Sequence, residues 1–139
     1  MKILVLDDDF ILTMILADHL VERGHRVIPA FDGHLGKIFC EQKHFDLVLI
    51  NFVLPKHNGI EVLEQLREKS RRTRAIMITN STKMLAEESN RMAALDVEAV
   101  IEKPFSFCEI DKLVEQRRVN SNVAEHWSPR RTGAGRNSL

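Results

Sequence analysis

The chain has 139 residues, 44% of them hydrophobic, which is a length and composition suited to one packed domain. Its 20 basic and 20 acidic residues cancel, so no net charge favours nucleic acid or a membrane surface. No apolar run approaches the length of a bilayer span and no signal peptide is visible, so we expect a cytoplasmic protein. The two cysteines lack a paired spacing, which indicates free thiols, with a regulatory disulfide as the alternative.

Short apolar runs alternate with longer segments of helical period, a pattern that predicts repeated βα units on a parallel sheet. The runs are continuously apolar, as strands must be when helices cover both faces of a sheet. The fold class is therefore α/β, an open doubly wound parallel sheet. In chain order, the predicted strands and helices alternate at residues 2–6, 10–23, 25–30, 33–42, 46–50, 59–69, 74–79, 82–94, 97–102 and 106–117.

The last part of the chain differs in character from the rest. Residues 118–139 are rich in Asn, Ser, Gly and Arg and lack apolar periodicity, which predicts a disordered tail after a domain of residues 1–117. Trp127 indicates a contact of the tail with the domain or with a partner, with an inert tail as the alternative. Charge is divided unevenly, because residues 117–139 carry +4 and residues 1–116 carry −4.

Polar residues follow four of the five apolar runs and form the candidate site. The first run ends at Asp7 and Asp8, the third at Asn51 and the fourth at Thr79, and the fifth leads into Lys103. Ligands of doubly wound sheets bind outside the carboxyl ends of the strands, where the strand order reverses. We therefore expect these five residues to share one cleft.

This arrangement resembles the receiver domain of two-component response regulators (CheY-like) over residues 1–117. The resemblance implies the flavodoxin-like (βα)5 fold with strand order 2-1-3-4-5, and a Lys-Pro peptide bond that is commonly cis. The alternative is an unrelated flavodoxin-like domain that shares these residues by chance. The resemblance rests on the acid pair Asp7 and Asp8, on Pro55 and Gly59 after Asn51, and on Lys103, Pro104 and Phe105.

In that family a carboxylate at the position of Asn51 accepts a phosphoryl group, and Mg²⁺ and a lysine neutralise the phosphoryl oxygens. The resemblance implies that Asp8 binds Mg²⁺ directly and that Asp7 binds it through water. It adds the backbone carbonyl of Val53 as a further ligand. The alternative role of the two acids is to occupy the first turn of a helix, where negative charge is favourable.

The same resemblance gives roles to the residues after the fourth and fifth strands. Lys103 would pair with the acceptor or with its phosphate, and Thr79 would bond a phosphoryl oxygen. For Thr79 an equal alternative is a strand-end hydroxyl that satisfies a loop amide. His57 follows the acceptor position and either shuttles a phosphoryl group or is an exposed loop residue.

Asn51 departs from the family at the acceptor itself. An amide oxygen is not a competent phosphoryl acceptor, and no neighbouring base can activate it. The cleft keeps two carboxylates instead of three, so we expect Mg²⁺ to bind weakly and no other cofactor to be needed. Three further positions also depart from the family, which has an aromatic, a glycine and a small residue at Val100, Asp96 and Asn80.

We therefore predict an atypical receiver domain that is not phosphorylated at position 51, acts through protein contacts and is not an enzyme. The implied partner is a histidine kinase, a phosphotransfer protein or an effector, without nucleic acid or membrane. The alternative is a conventional phosphoaccepting response regulator with an Asp-to-Asn variant. The docking surface, which would also serve a homodimer, is expected on the fourth and fifth helices and the fifth strand. This region supplies five apolar residues, most of which belong to the core in the alternative interpretation: Met84, Leu85, Met92, Ile110 and Leu113.

Two other classes of function are disfavoured by the sequence. A basic cluster at Lys69, Arg71, Arg72 and Arg74 indicates a solvated loop, because nucleic-acid binding would require a helix or an aromatic platform. An enzyme with a nucleotide or flavin cofactor would require a Gly-rich phosphate loop after the first strand, and none is present.

Overall fold

The computed structural model describes residues 1–116 and 130–132, which form a parallel sheet of six strands with helices on both faces. No helix within these residues is long and apolar enough to cross a membrane. The strands are β1 Lys2–Leu6, β2 Arg26–Ala30, β3 Leu47–Asn51, β4 Arg74–Thr79, β5 Ala99–Glu102 and β6 Arg130–Thr132. The helices are α1 Phe10–Glu22, α2 Gly33–Gln42, α3 Gly59–Lys69, α4 Thr82–Ala86, α5 Ser89–Ala94 and α6 Phe107–Glu115.

The sheet has the order β2-β1-β3-β4-β5-β6, and all its neighbouring strands are parallel. The predicted order 2-1-3-4-5 is therefore confirmed for the first five strands. Alternate residues of each strand enter two separate cores, which is why the strands are apolar throughout. One core joins Leu4, Val48 and Ile50 to α2, α3 and α5, and the other joins Ile3, Val5 and Leu49 to α1 and α6.

Polar side chains begin most of the longer helices by accepting backbone N–H groups that have no helical partner. Asn58 and Ser106 form capping boxes at α3 and α6 with the glutamates three residues later. Asp9 starts α1 by accepting from the amide of Leu12 at 3.0 Å. The same helix ends before Gly24, whose φ of +96° lies in the left-handed region that glycine adopts without cost.

Two expectations about elements need correction. The helix predicted at residues 82–94 is divided, because the chain turns at Glu88 (φ −104°, ψ 15°) and the Glu88 amide donates to the Leu85 carbonyl. In the predicted disordered tail, Arg130–Thr132 form β6 and pair with β5. The rest of the tail, including Trp127, lies outside the described residues.

The basic cluster before β4 has structural contacts that the sequence did not indicate. Lys69 donates to the Cys40 carbonyl at 3.1 Å, near the end of α2. Arg74 forms an ion pair with Glu98 at 2.7 Å and donates to the Leu113 carbonyl at 2.6 Å. The interpretation as a solvated loop is therefore wrong for these two residues. Lys69 joins the end of α3 to the end of α2, and Arg74 holds the end of α6 against the sheet.

Asp96 adopts a left-handed conformation in the turn between α5 and β5, with φ of +58°. This conformation is the physical reason why glycine suits the position, because a Cβ atom adds strain there. Aspartate is among the few other residues that tolerate it. The departure at Asp96 is therefore compatible with the same turn.

Gly59 allows the start of α3 to lie directly against the end of β3. A Cβ atom at this position would be 2.6 Å from the backbone oxygen of Asn51 and 2.8 Å from the Cγ2 atom of Ile50. The Gly59 amide also donates to the carbonyl of Phe52 at 2.8 Å. The glycine thus fixes the path of the main chain at position 51.

Gly59→Ala should lower the free energy of unfolding by about 1–3 kcal/mol, because the added methyl group meets main-chain atoms that cannot rotate away. Urea denaturation measures the change. The control is Glu68→Ala, at an exposed position of the same helix, where we expect little effect. Equal stability of Gly59→Ala and the parent would show that α3 moves away from β3 at no cost.

Candidate functional site

The candidate site lies at the carboxyl ends of the strands, beside the point where the strand order reverses between β1 and β3. Asp7 and Asp8 directly follow β1, Asn51 ends β3 and Thr79 ends β4. Lys103 comes directly after β5, and its amide donates to the Thr79 carbonyl at 2.8 Å. Asp7, Asn51 and Thr79 are buried, whereas Asp8 is exposed.

Asp7 and Lys103 form the strongest contact of the cleft. The Lys103 ammonium lies 2.7 Å from Asp7 Oδ2, and the Asp9 amide donates to Asp7 Oδ1 at 3.0 Å. Burial raises the pKa of Asp7, although the hydrogen bond from Lys103 opposes that shift. Lys103 therefore pairs with the first acidic residue. The peptide bond from Lys103 to Pro104 is cis.

Thr13 holds the acidic loop in place and was not singled out by the sequence analysis. Its buried hydroxyl lies 3.1 Å from the Asp7 carbonyl and 2.7 Å from the Asp9 carbonyl. The sequence pattern that could have indicated this contact is a threonine, Thr13, one turn after the aspartate that caps the helix, Asp9. A hydroxyl at such a position bonds backward to a preceding carbonyl. This contact ties the loop after β1 to α1.

Asn51 turns its amide nitrogen toward oxygen atoms. Its Nδ2 atom donates to the Val53 carbonyl at 2.7 Å and lies 3.5 Å from Asp8 Oδ1, a long and weak contact. Because both neighbours can only accept hydrogen bonds, chemistry favours the NH2 group on this side of the side chain. The amide therefore supplies positive hydrogen atoms at this part of the cleft.

The described cleft does not fit the Mg²⁺ ligand set that the family resemblance implies. Mg²⁺ requires octahedral oxygen ligands, but the Val53 carbonyl and Asp8 Oδ1 already face the NH2 group of Asn51. Both oxygens of Asp7 are also in contact with donors, the Lys103 ammonium and the Asp9 amide. No group of three His, Cys, Asp or Glu side chains suited to a metal occurs among the described residues.

The hydroxyl of Thr79 contacts a loop amide, which is the alternative given for it in the sequence analysis. Its hydroxyl accepts from the Ser81 amide at 2.9 Å and lies 3.2 Å from the Ser81 carbonyl. The hydroxyl thus satisfies the loop after β4. Val100 is buried beneath the same region. His57 is partly exposed, and its Nδ1 atom lies 4.0 Å from Glu61, one turn into α3.

Four of the five residues named for the predicted docking surface are buried, as their alternative assignment to the core expects, and the surface itself stays a prediction. Their side chains are packed in the two cores, so a partner could reach them only if the helices separated from the sheet. The fifth side chain, Met84, lies outside the described side chains. Helical periodicity identified these residues as apolar, but it could not distinguish the face turned toward the sheet. The buried four are Leu85, Met92, Ile110 and Leu113.

Exposed apolar side chains lie instead beside the acidic loop. Phe10, Ile11 and Ile15 on α1 are 61%, 69% and 52% exposed. Val53 is 48% exposed, and its carbonyl contacts Asn51 in the cleft. Clustered exposed apolar residues of this kind mark surfaces that bind other proteins.

A parallel sheet of this order, with two acids, an amide and a lysine at one edge, defines a receiver domain of two-component signalling. The sequence model of the response regulator receiver domain matches residues 3–115. The chain belongs to the response regulator receiver family. Receiver domains are signalling domains, and members of the family bind Mg²⁺ in their active-site cleft.

Two curated relatives are transcriptional regulatory proteins. The alkaline phosphatase synthesis regulator PhoP of Bacillus subtilis is 33% identical over 125 residues, which are 88% of this chain and 50% of that protein. CpxR of Escherichia coli K12 is 33% identical over 129 residues, which are 91% of this chain and 51% of that protein. The chain therefore spans about half the length of the curated relatives it matches.

Solved receiver structures share the fold. A CheY-like receiver domain of Methanospirillum hungatei is 25% identical with a TM-score of 0.77, covering 82% of this chain and 90% of that one. The receiver domain of a sensor histidine kinase from Pseudomonas aeruginosa is 22% identical with a TM-score of 0.71, covering 82% and 93%. That domain has a magnesium ion coordinated in its active-site cleft, and at this identity the likeness concerns the fold alone.

Asp7→Asn should change how stability depends on pH. Burial raises the pKa of Asp7, so its contribution is fully present below the unfolded pKa and is lost as pH rises through the folded value. We expect the free energy of unfolding of the parent, relative to Asp7→Asn, to fall as the pH rises above the ordinary carboxyl pKa of about 4. Urea denaturation at several pH values measures the difference.

Asp18→Asn is the matched control, because Asp18 is an exposed acid on α1. Its difference from the parent should not follow the pH trend of Asp7→Asn. If the stability of the parent relative to Asp7→Asn instead increased with pH, the attraction between Asp7 and Lys103 would outweigh the cost of burial.

Proposed function

We propose that this chain is a receiver domain that does not accept phosphate at position 51 and that signals through protein contacts without catalysis. The orientation of Asn51 carries the proposal, since its NH2 group faces the Val53 carbonyl and Asp8. The proposed partner is a histidine kinase, a phosphotransfer protein or an effector. The proposed compartment is the cytoplasm, where the resemblance places such domains.

The chemistry of position 51 supports the loss of phosphate transfer. A phosphoacceptor must direct a lone pair of an anionic oxygen at phosphorus, and an amide is neutral and weakly nucleophilic. No histidine or lysine contacts the amide of Asn51 among the described residues, and Lys103 is occupied by Asp7. The groups that would stabilise the transferred phosphoryl are present, but the group that would form the new bond is absent.

The same amide also supports weak Mg²⁺ binding. Its hydrogen atoms lie beside oxygens that otherwise bind a cation, so they supply part of the positive charge that the metal would bring. An Asp in this place would present a third carboxylate to the same oxygens, and the repulsion would favour metal uptake. The cleft is therefore electrostatically satisfied without a divalent ion.

Contacts with a protein partner are proposed for the exposed apolar surface of α1 beside the cleft. Phe10 and Ile11 directly follow the acidic loop, and Ile15 lies one turn later. This surface adjoins the site, so a bound protein would contact both. It lies on the same face of the sheet as α6, which is part of the docking surface expected from the sequence.

A conventional phosphoaccepting regulator that carries an Asp-to-Asn variant is the second candidate. The remaining cleft favours it, because Asp8 and Lys103 stand at the expected strand ends and the Lys103–Pro104 bond is cis. The two candidates differ in what Asn51→Asp restores. The substitution changes charge and hydrogen bonding with almost no change in shape.

The parent should form no acyl phosphate when incubated with acetyl phosphate and Mg²⁺, because its amide cannot attack phosphorus. Asn51→Asp should form a phosphate adduct, since Asp8 and Lys103 remain. Intact-mass spectrometry followed by peptide mapping measures both. An adduct on Asp7, Asp8 or His57 of the parent would contradict the proposal.

The amides of residues 82–102 separate the two candidates once Asn51→Asp is phosphorylated. Shifts confined to the cleft support an atypical receiver whose switch is lost, because Val100 offers no aromatic ring to move. Large phosphate-dependent shifts throughout this range favour the conventional regulator. Absence of any adduct on Asn51→Asp would show that more than the nucleophile has been lost.

Asn51→Asp should destabilise the metal-free protein by about 1–2 kcal/mol, because a donor is replaced by a charged acceptor between two other acceptors. Added Mg²⁺ should recover that stability by binding only the folded state. The affinity for Mg²⁺ should rise roughly tenfold or more, the size of effect that groups around a metal site commonly have. Thermal melts with and without Mg²⁺ and a chemical-shift titration measure these changes.

Asn90→Asp is the matched control, since Asn90 is exposed on α5 and the substitution adds the same charge. Its stability should not respond to Mg²⁺. Equal melting of Asn51→Asp and the parent without metal would show that the acids of the cleft do not act on position 51.

A further inference from the structure

The sixth strand lies at the edge of the sheet and does not belong to the repeated βα units. Arg130–Thr132 pair with β5 in parallel, with Ala99 opposite Arg130 and Ile101 opposite Thr132. This strand is therefore the outer neighbour of β5 in the sheet. Without it, β5 would be the edge strand.

An uncovered β5 would be a site for strand addition. An edge strand presents a row of unpaired N–H and C=O groups to which another chain can bind. Common protections are charged or proline residues on the edge, but three of the four residues of β5 are apolar and buried, namely Ala99, Val100 and Ile101. A further strand paired along β5 would satisfy the outer N–H and C=O groups of this short apolar strand.

The end of α6 lies at the end of the sheet where a strand parallel to β5 begins. Arg74, the first residue of β4, donates to the carbonyls of Leu113 and Val114 at 2.6 and 2.9 Å. These contacts place the end of α6 at the amino ends of the strands. A strand parallel to β5 can start from this end of the sheet, but α6 packs on the face that carries α1, so a connection from β5 through α6 to β6 is left-handed, unlike those of the other βα units.

Net charge gives a second, independent attraction between the tail, residues 117–139, and the domain, residues 1–116. Residues 117–139 carry +4, whereas residues 1–116 carry −4. Opposite net charges favour contact between the tail and the domain, and salt weakens this attraction at distances beyond about 8 Å at physiological ionic strength. The tail is thus electrostatically suited to its own domain.

We propose that the C-terminal segment is an internal cover for the β5 edge, held in cis through main-chain pairing of Arg130–Thr132. A second copy of this chain that pairs along β5 must first displace the cover. Homodimer formation at the fifth strand, expected from the family resemblance, is then controlled by the tail. This proposal is independent of the chemistry at Asn51.

Hydrogen exchange of the β5 amides tests the cover in the full-length chain. Arg130→Pro with Arg131→Pro removes two adjacent backbone donors, one of which must face β5. Gly135→Pro with Arg136→Pro is the matched control, with equal numbers of prolines elsewhere in the tail. We expect exchange within Ala99–Glu102 to accelerate about tenfold or more in the first variant and to stay unchanged in the control.

A chain that ends at Gln116 gives a second measurement that does not depend on proline. Its β5 amides should exchange as fast as those of the Arg130→Pro, Arg131→Pro variant, and high salt should move the parent in the same direction. Unchanged exchange in both altered chains would overturn the proposal.

Light scattering over a range of protein concentrations tests the consequence for assembly. We expect a monomeric parent and self-association of the chain that ends at Gln116, because its β5 edge is bare. A truncated chain that stays monomeric would overturn the proposal that the tail prevents a second copy from pairing with β5. A dimeric parent that becomes monomeric with Arg130→Pro and Arg131→Pro would show that β6 comes from a second copy, which overturns pairing in cis.

Discussion

The contact between Asp7 and Lys103 joins the loop after β1 to the loop after β5, across the whole width of the cleft. Both β3 and β4 end between these two loops, so the pair encloses the side chains at their ends. A buried carboxylate requires a partner, and here a lysine and a backbone amide provide it. With Lys103 used in this way, position 51 must satisfy its own hydrogen bonds locally, and an amide does so with a neighbouring carbonyl.

An amide at position 51 changes the hydrogen bonding of the cleft, although it differs little in size and shape from a carboxylate. A carboxylate and an amide have nearly the same shape, but one can only accept hydrogen bonds and the other can also donate them. A carboxylate at position 51 would repel the Val53 carbonyl and Asp8, whereas the Asn51 amide donates toward both oxygens and packs in the same way. The Asn51 amide places a hydrogen-bond donor among these oxygen atoms without adding net charge.

Most of the fold was predictable because each βα unit carries its own signal. Continuous apolar runs predicted β1 and β3 to within a residue, and helical periodicity predicted the starts of α1 at residue 10 and of α3 at residue 59. The division at Glu88 was not predictable, since apolar spacing continues through it. Nor was β6, because three polar residues pair with a strand that lies far away in sequence and carry no periodicity.

The candidate site was predictable in position but not in its contacts. Strand ends converge for reasons of topology, which placed Asp7, Asn51 and Thr79 together. The partner of each group depends on rotation about single bonds. Thr79 turns to the nearest loop amide, that of Ser81, and Lys103 turns to the most buried acid. Sequence spacing contains no information about these local choices.

The contact with Gly59 constrains the backbone at position 51 but not the side chain. Its close approach concerns the backbone oxygen of Asn51, so the requirement for glycine is the same whatever side chain that residue carries. An ancestor with an acid there and a descendant with an amide would fold through the same main-chain contact. A change of side chain at position 51 therefore leaves the main-chain contact with Gly59 unaltered, so the path of the backbone does not depend on whether the residue is an acid or an amide.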